Sequence, residues 1–378
     1  MKVKALPLAV AAAIAAPGVA LADGPSVYGR LNVSYEMVDV DVDTFGENEG
    51  LNSNVDNWQL ISNSSRFGVK GDAAVNDGLK VIYLIEWGLD ASDDKSADLS
   101  QRDRYVGLAG DFGTVQVGKY DSPLKKAQGK IDMFNDLAGD ISFVLVGENR
   151  LENAIQYSSP KMGGVQFNLL FQPGEEYEVA DDIDYDYKDG PADSFSTSVT
   201  FEQDNVFAAI AYDSEVASSI SQAAVSEYVR GIALLNPDLG DDFGDDYGSI
   251  GARFDTLRLV GQFKADALQI GVLLQTAENS NDDELGGNSL EQDAYVLSAG
   301  FAVGANLFKA QYSSSTTDIS GNVDGEIEAT AIGFGVDHSL TKQTTLFAYY
   351  NMLSYEYDTN PTVETTKDNL GVGIIHNF

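Results

Sequence analysis

The side chains able to carry out catalysis or bind a metal are few in this chain of 378 residues. It has no cysteine and two histidines, His338 and His376. No thiolate nucleophile and no Cys-based metal site can be built. Neither histidine sits in a His-x-x-x-His or Glu-x-x-His arrangement, so no zinc motif is present. His376 lies on the apolar face of an alternating segment, where it would make a poor general base, and a serine–histidine hydrolase is disfavoured. Carboxylates are the opposite case: 59 Asp and Glu against 23 Lys and Arg give a formal charge of −36. The clusters Asp181-Asp182-Ile183-Asp184, Asp241-Asp242 with Asp245-Asp246, and Asn281-Asp282-Asp283-Glu284 could hold Ca²⁺ or Mg²⁺ loosely, but none has the spacing of a helix-flanked calcium loop. No glycine-rich phosphate loop opens a helix, so no nucleotide or other cofactor is implied. So large a negative charge repels nucleic acid.

The elements that hold these residues read as an exported all-β protein. Lys2 and Lys4 precede an apolar, alanine-rich run from Leu6 to Leu21, and Ala20-Leu21-Ala22 supplies a small-x-small cleavage site before Asp23. Residues 1–22 are therefore expected to be a cleaved signal peptide and 23–378 a single domain. No later stretch approaches 18 uncharged apolar residues, so no transmembrane helix is expected. Instead, segments of about ten residues alternate with period two. Val27, Gly29, Leu31, Val33, Tyr35 and Met37 oppose Tyr28, Arg30, Asn32, Ser34 and Glu36; Val81, Tyr83, Ile85, Trp87 and Leu89 oppose Lys80 and Glu86; Leu257, Leu259 and Phe263 oppose Arg258, Gln262 and Lys264. About sixteen such segments can be counted. Their connectors are alternately short (Gly110–Phe112, Ala265–Ala267) and long and acidic (Pro173–Asp193, Ser214–Gly248). Short turns at one end and long loops at the other, with an even strand count, are the pattern of a transmembrane antiparallel β-barrel wide enough to leave an aqueous lumen. The chain ends inside a strand, on Phe378, with Leu370, Val372, Ile374 and His376 on the same face. Closure of the barrel would pair this last strand with the first and leave no exposed edge.

Five stretches carry a more specific resemblance: Val27-Tyr28-Gly29-Arg30; Ser65-Arg66-Phe67-Gly68-Val69-Lys70-Gly71; Arg102-Asp103-Arg104-Tyr105-Val106-Gly107-Leu108; Phe112-Gly113-Thr114-Val115-Gln116-Val117-Gly118; and Asn153-Ala154-Ile155-Gln156-Tyr157-Ser158-Ser159-Pro160. In this order, with the leader and the terminal phenylalanine, the chain resembles the general diffusion porins of Gram-negative bacteria from end to end. The resemblance implies a 16-stranded barrel, usually a homotrimer, in the outer membrane among lipid and lipopolysaccharide. Phe378 would be the signal read by the barrel-insertion machinery. A constriction loop, here about residues 120–148, would fold into the lumen. The resemblance puts Asp132, Asp136 and Asp140, with Glu148, on the acidic wall of that constriction, and Arg30, Arg66, Arg102 and Arg150 on the basic wall. Strand parity supports the arginines independently, because each lies opposite an apolar face.

Opposed acids and arginines would set a transverse field that orients polar solutes and biases ion passage. Arginine stays charged at any working pH. The sequence thus reads as a channel for passive diffusion of ions and small hydrophilic solutes. A substrate-specific porin and a plugged structural or adhesive barrel are the rivals. A sugar channel would favour an aromatic track, for which only Tyr28 and Tyr120 have the right parity. The excess acidity suggests a mild cation preference, with loosely bound divalent cations at the outer loops.

Overall fold

A computed structural model describes residues 24–45, 53–92, 99–174, 190–219, 251–280, 287–321, 324–358 and 362–378. The leader 1–22 and the acidic clusters at 181–184, 241–246 and 281–284 lie outside the described residues.

The described chain is strands joined by turns, with one longer loop. The first strands are β1 (Ser26–Phe45), β2 (Ser53–Ser62), β3 (Arg66–Asn76), β4 (Leu79–Leu89), β5 (Leu99–Gly110), β6 (Gly113–Asp121), β7 (Arg150–Ser158), β8 (Val165–Gln172) and β9 (Ser194–Gln203). They continue as β10 (Val206–Ser219), β11 (Gly251–Ala265), β12 (Leu268–Asn279), β13 (Ser289–Val303), β14 (Asn306–Ser320), β15 (Gly325–Ser339), β16 (Thr344–Asp358) and β17 (Thr362–Asn377). Between β6 and β7 lie a short helix, α1 (Pro123–Lys126), and a 3₁₀ turn (Ile141–Phe143).

Each strand from β3 onward pairs antiparallel with its successor, and β17 returns to β1. The sheet therefore closes. The seventeen segments form sixteen staves, because β2 and β3 both pair with β1 and are one stave interrupted at Asn63–Ser65. Ser64 is left-handed there (φ 51°). The Ser65 hydroxyl takes over part of the lost ladder, accepting from Asn32 N–H (2.9 Å) and donating to Asn32 C=O (3.1 Å). At the closing seam Gly29 and Phe378 exchange two backbone hydrogen bonds of 3.0 Å. The Phe378 ring lies over Gly29, where a Cβ would come within 2.3 Å of it.

The apolar faces read from the sequence point outward. Leu31, Val106, Leu259, Leu297, Phe334 and Val372 are all exposed on the outer wall, as lipid contact requires, and the closed ladder pairs the strand backbones with one another. Outward aromatic pairs stack across neighbouring strands: Tyr35 with Trp58 at 5.0 Å, Phe67 with Trp87 at 5.4 Å.

Two expectations change. First, the strands run further than the apolar alternation indicated. β1 continues to Phe45, and Val40 and Val42 pack inward there. Alternating Asp and Val reads as loop in a hydropathy pattern but pairs as strand with β2 and β17. Second, the inner face is not polar all round. On β10–β13 and β15–β16 it carries Ala209, Ala211, Val260, Leu273, Val296, Ala331 and Leu353, all buried. The reason is the loop between β6 and β7, which covers them.

Candidate functional site

The loop spans residues 122–149, slightly displaced from the expected 120–148. Tyr120 belongs to β6, fully buried, with its hydroxyl donating to the Gln116 and Ala154 carbonyls (3.1 Å each). It offers no aromatic surface to the lumen. Ser122 caps α1, accepting from Lys125 N–H at 3.0 Å, with Pro123 at the first helical position. From there the loop turns into the barrel. Its apolar side, Leu124, Ala127, Ile131, Ile141, Val144 and Leu145, packs on the apolar inner patch. Phe134 is buried against Tyr349 (6.4 Å), and Lys309 Nζ lies 4.8 Å from its ring. Gly333 makes room for it, since a Cβ there would come within 2.7 Å of the Phe134 ring.

Wall side chains satisfy the loop's backbone, which has no ladder of its own. Ser196 Oγ accepts from Leu124 N–H (3.1 Å), Gln311 Oε1 from Met133 N–H (2.7 Å) and Gln292 Oε1 from Val146 N–H (3.0 Å). In return Ser315 donates to Val144 C=O (2.7 Å) and Tyr355 to Phe143 C=O (2.8 Å). The strongest tie is Arg258 on β11. Its side chain is 0% exposed, and Nη1 meets Glu148 Oε1 at 2.6 Å, with further bonds to the Leu124 and Val146 carbonyls and to Gln275 Oε1.

That contact moves Glu148 off the expected acidic wall. It is 6% exposed and faces Arg258 rather than the arginines across the lumen. Burial pushes its carboxyl up, and the Arg258 charge pulls it back. Asp132 and Asp140 are also committed to the loop's own shape. Asp132 accepts from Phe134 and Ile141 N–H and from Gln311 Nε2. Its carboxyl is raised well above the usual carboxylate range, by burial first and by the Asp140 charge second. Asp140 caps the 3₁₀ turn through Ser142 N–H (2.8 Å) and holds Asp136 N–H (2.8 Å).

Asp136 alone of the four meets the basic wall. It sits at the loop tip in a left-handed conformation (φ 66°), one that Asp tolerates. One oxygen lies 3.2 Å from both Arg30 Nη1 and Arg66 Nη1. Beside this contact a cavity of about 340 Å³ opens between the loop tip and the wall, lined by Glu36, Ser62, Asn63, Asp140, Lys367 and Asn369 among others.

All four expected arginines point inward, and each is compensated by a carboxylate. Glu86 Oε1 takes Arg102 Nε at 2.6 Å, while Oε2 lies 4.0 Å from Arg66 and accepts from Tyr28 at 2.7 Å. Arg150 pairs with Asp103 (2.5 Å) and Asp121 (3.0 Å). Four guanidiniums thus stand among four acids, Glu86, Asp103, Asp121 and Asp136, with Lys125 a further cation 3.7 Å from Asp121. Glu86 shares the inward parity of its strand and could have been found from it. Asp103 could not. A bulge opposes Glu86 to both Arg102 and Asp103, turning two consecutive side chains inward. Arg30, Arg66 and Arg102 are 23%, 19% and 18% exposed, so water reaches them. Among the described residues no group of three or more His, Asp or Glu is placed to hold a metal.

A closed antiparallel barrel with an apolar belt and an in-folded loop facing charged side chains defines the class of outer-membrane channel barrels. The comparisons place the chain within it. A sequence profile described as Gram-negative porin matches residues 9–359, and the chain belongs to that family. Major outer membrane protein P.IB of Neisseria gonorrhoeae is 23% identical over 338 residues, covering 86% of this chain and 87% of that protein. Major outer membrane protein P.IA of Neisseria meningitidis serogroup B is 27% identical over 112 residues; that match spans only 28% of the relative. Among solved structures, an anion-selective porin from Comamonas acidovorans superposes with a TM-score of 0.67 at 18% identity, over 94% of this chain and 100% of that one. OmpT of Vibrio cholerae, described as a trimer form, gives 0.60 at 14% identity, over 94% and 99%. Family and relatives place the protein in the Gram-negative outer membrane.

Proposed function

We propose that the protein is a water-filled channel through which ions and small hydrophilic solutes diffuse passively, with no catalytic step and no cofactor. The observation that carries this reading is the loop tip. Asp136 meets Arg30 and Arg66 in a direct ion pair at 3.2 Å, beside an open cavity of about 340 Å³, in a barrel whose sixteen staves leave a lumen. In this reading Arg30, Arg66, Arg102 and Arg150 form the basic side, and Asp136 is the loop's contribution to the field. Asp132, Asp140 and Glu148 keep the loop folded and docked.

Compensation changes what the basic side does. Unpaired arginines would gather anions strongly. Here Glu86, Asp103, Asp121 and Asp136 offset much of the arginine charge locally, although Lys125 also leans on Asp121, so the acidic excess of the whole chain tips the pore towards weak cation preference. The proposal includes a homotrimer, cleavage after residue 22 on export, and Phe378 as the assembly signal at the barrel seam. Liposome swelling in neutral sugars of graded size tests the channel. Swelling that falls with sugar size supports it. Liposomes holding folded barrel that swell no faster than empty ones would move the reading to a plugged structural barrel.

A further inference from the structure

The outer wall carries one feature that the channel reading leaves unused. Arg104 on β5 pairs across the sheet with Ile85 of β4 and Lys119 of β6. Directly opposed residues share a face, and Ile85 is exposed on the lipid side. Arg104 and Lys119 therefore project outward. Towards the turn end their columns continue as Val106 and Leu108, and as Val117 and Val115, all exposed and apolar. Two cations thus interrupt a lipid-facing surface.

Charge on such a face is costly unless it finds a counter-charge or reaches the headgroups. The protein supplies only part of one. Lys119 Nζ pairs with Glu152 Oε2 at 3.0 Å. Arg104 lies 6.0 Å from the Trp87 ring, and its Nε is buried with no hydrogen-bond partner. Tryptophan marks the headgroup level in membrane proteins. β5 runs from the long-connector end at Leu99 to the turn end at Gly110, and Lys119 is near the long-connector end of β6. In outer-membrane barrels that end faces outside. The pair consequently lies at the outer-leaflet interface, with one net positive charge after Glu152 is counted.

We infer that Arg104 and Lys119 form a docking site for the phosphate of an anionic lipid headgroup in the outer leaflet. A planar guanidinium takes two phosphate oxygens side by side, and the nearby ammonium adds a point charge. The apolar columns below the pair would receive the acyl chains. The inference needs the membrane placement but not conduction, so its failure leaves the channel reading standing.

The test is native mass spectrometry of the detergent-purified oligomer with phosphatidic acid or phosphatidylcholine of identical chains. Wild type is expected to retain the acidic lipid about tenfold better, and the double variant Arg104→Gln/Lys119→Gln to lose that preference, with Arg104→Lys keeping part of it. Gln is cheaper than Arg against lipid, so the variants are expected to assemble, and heat-modifiable migration on gels verifies it. Equal retention of the two lipids by wild type would overturn the inference, as would undiminished preference in the double variant. A double variant that dissociates to a smaller oligomer with unchanged lipid preference would also overturn it, assigning the pair to a subunit contact.

Discussion

The two halves of the inner wall are built on different principles. From β9 to β16 the wall is a dock. Its small and apolar side chains, with Ser and Gln between them, hold the loop along most of its length. Around β1 and β3–β7 the wall is a charge lattice, met by the loop tip at Asp136 and, where the loop leaves β6, by Lys125 beside Asp121 and Lys126 over Tyr120. The same strand alternation serves both. What differs is whether the inward residues are satisfied by a segment of the protein or by each other and water. The dock sets where the loop crosses the barrel and so the width of the opening beside its tip, and the lattice sets the field there.

Breaking the dock should have the largest effect. Arg258→Met leaves Glu148 buried without its partner, at a cost of about 3–5 kcal/mol. The loop should detach, giving protease cleavage within residues 122–149 of a folded barrel and larger, noisier conductance steps. Pairing it with Glu148→Leu should recover most of the loss, because the cost lies in the stranded charge. An unchanged protease pattern in Arg258→Met would mean the apolar patch alone suffices.

Breaking the lattice should alter selectivity and leave stability nearly untouched. Asp136→Asn uncovers Arg30 and Arg66 together. Charges about 4 Å apart near a protein surface interact by about 4 kcal/mol before screening, so the anion-to-cation permeability ratio should rise roughly three- to tenfold. Zero-current potentials under a salt gradient read this directly. Glu86→Gln frees Arg102 and should move the ratio the same way by about twofold, since the amide oxygen still accepts from Tyr28. If Glu86→Gln shifts selectivity more than Asp136→Asn, the narrowest point is not at the loop tip.

Asp132→Asn should change selectivity least, for its carboxylate faces the loop and not the arginines. It sharpens the comparison through pH. Burial raises the Asp132 carboxyl above its ordinary range, so the docked loop binds a proton more tightly than the detached one. Docking is favoured at low pH and weakens as pH rises through the raised value. Wild-type loop cleavage should therefore increase with pH, and the Asn variant should flatten that rise. A rise of equal size in the variant would assign the pH dependence to another group.

Val81, Tyr83, Ile85, Trp87 and Leu89 alternate cleanly because one face meets lipid, so that strand, its inward Glu86 and the barrel itself were legible in the sequence. The top of β1 was not. Asp39, Asp41 and Asp43 between valines look like a solvated loop, yet Asn54 donates to Asp39 and Asp41 across the β1–β2 pair. Asp103 was hidden by a one-residue bulge that reverses parity. Glu148 was misplaced because its partner, Arg258, is 110 residues away. Only the path of the loop across the lumen brings them together. Local alternation writes strands and faces; it does not write which inward face a loop will cover.

A loop-narrowed pore whose arginines are compensated by carboxylates should conduct freely and discriminate weakly between ions. Single-channel recording of the purified wild-type protein in a planar bilayer under a salt gradient tests it most directly. Large steps grouped in three closely spaced levels are expected, with a small zero-current potential of cation-selective sign. A properly inserted barrel that stays silent, or one with a strongly anion-selective potential, would contradict it.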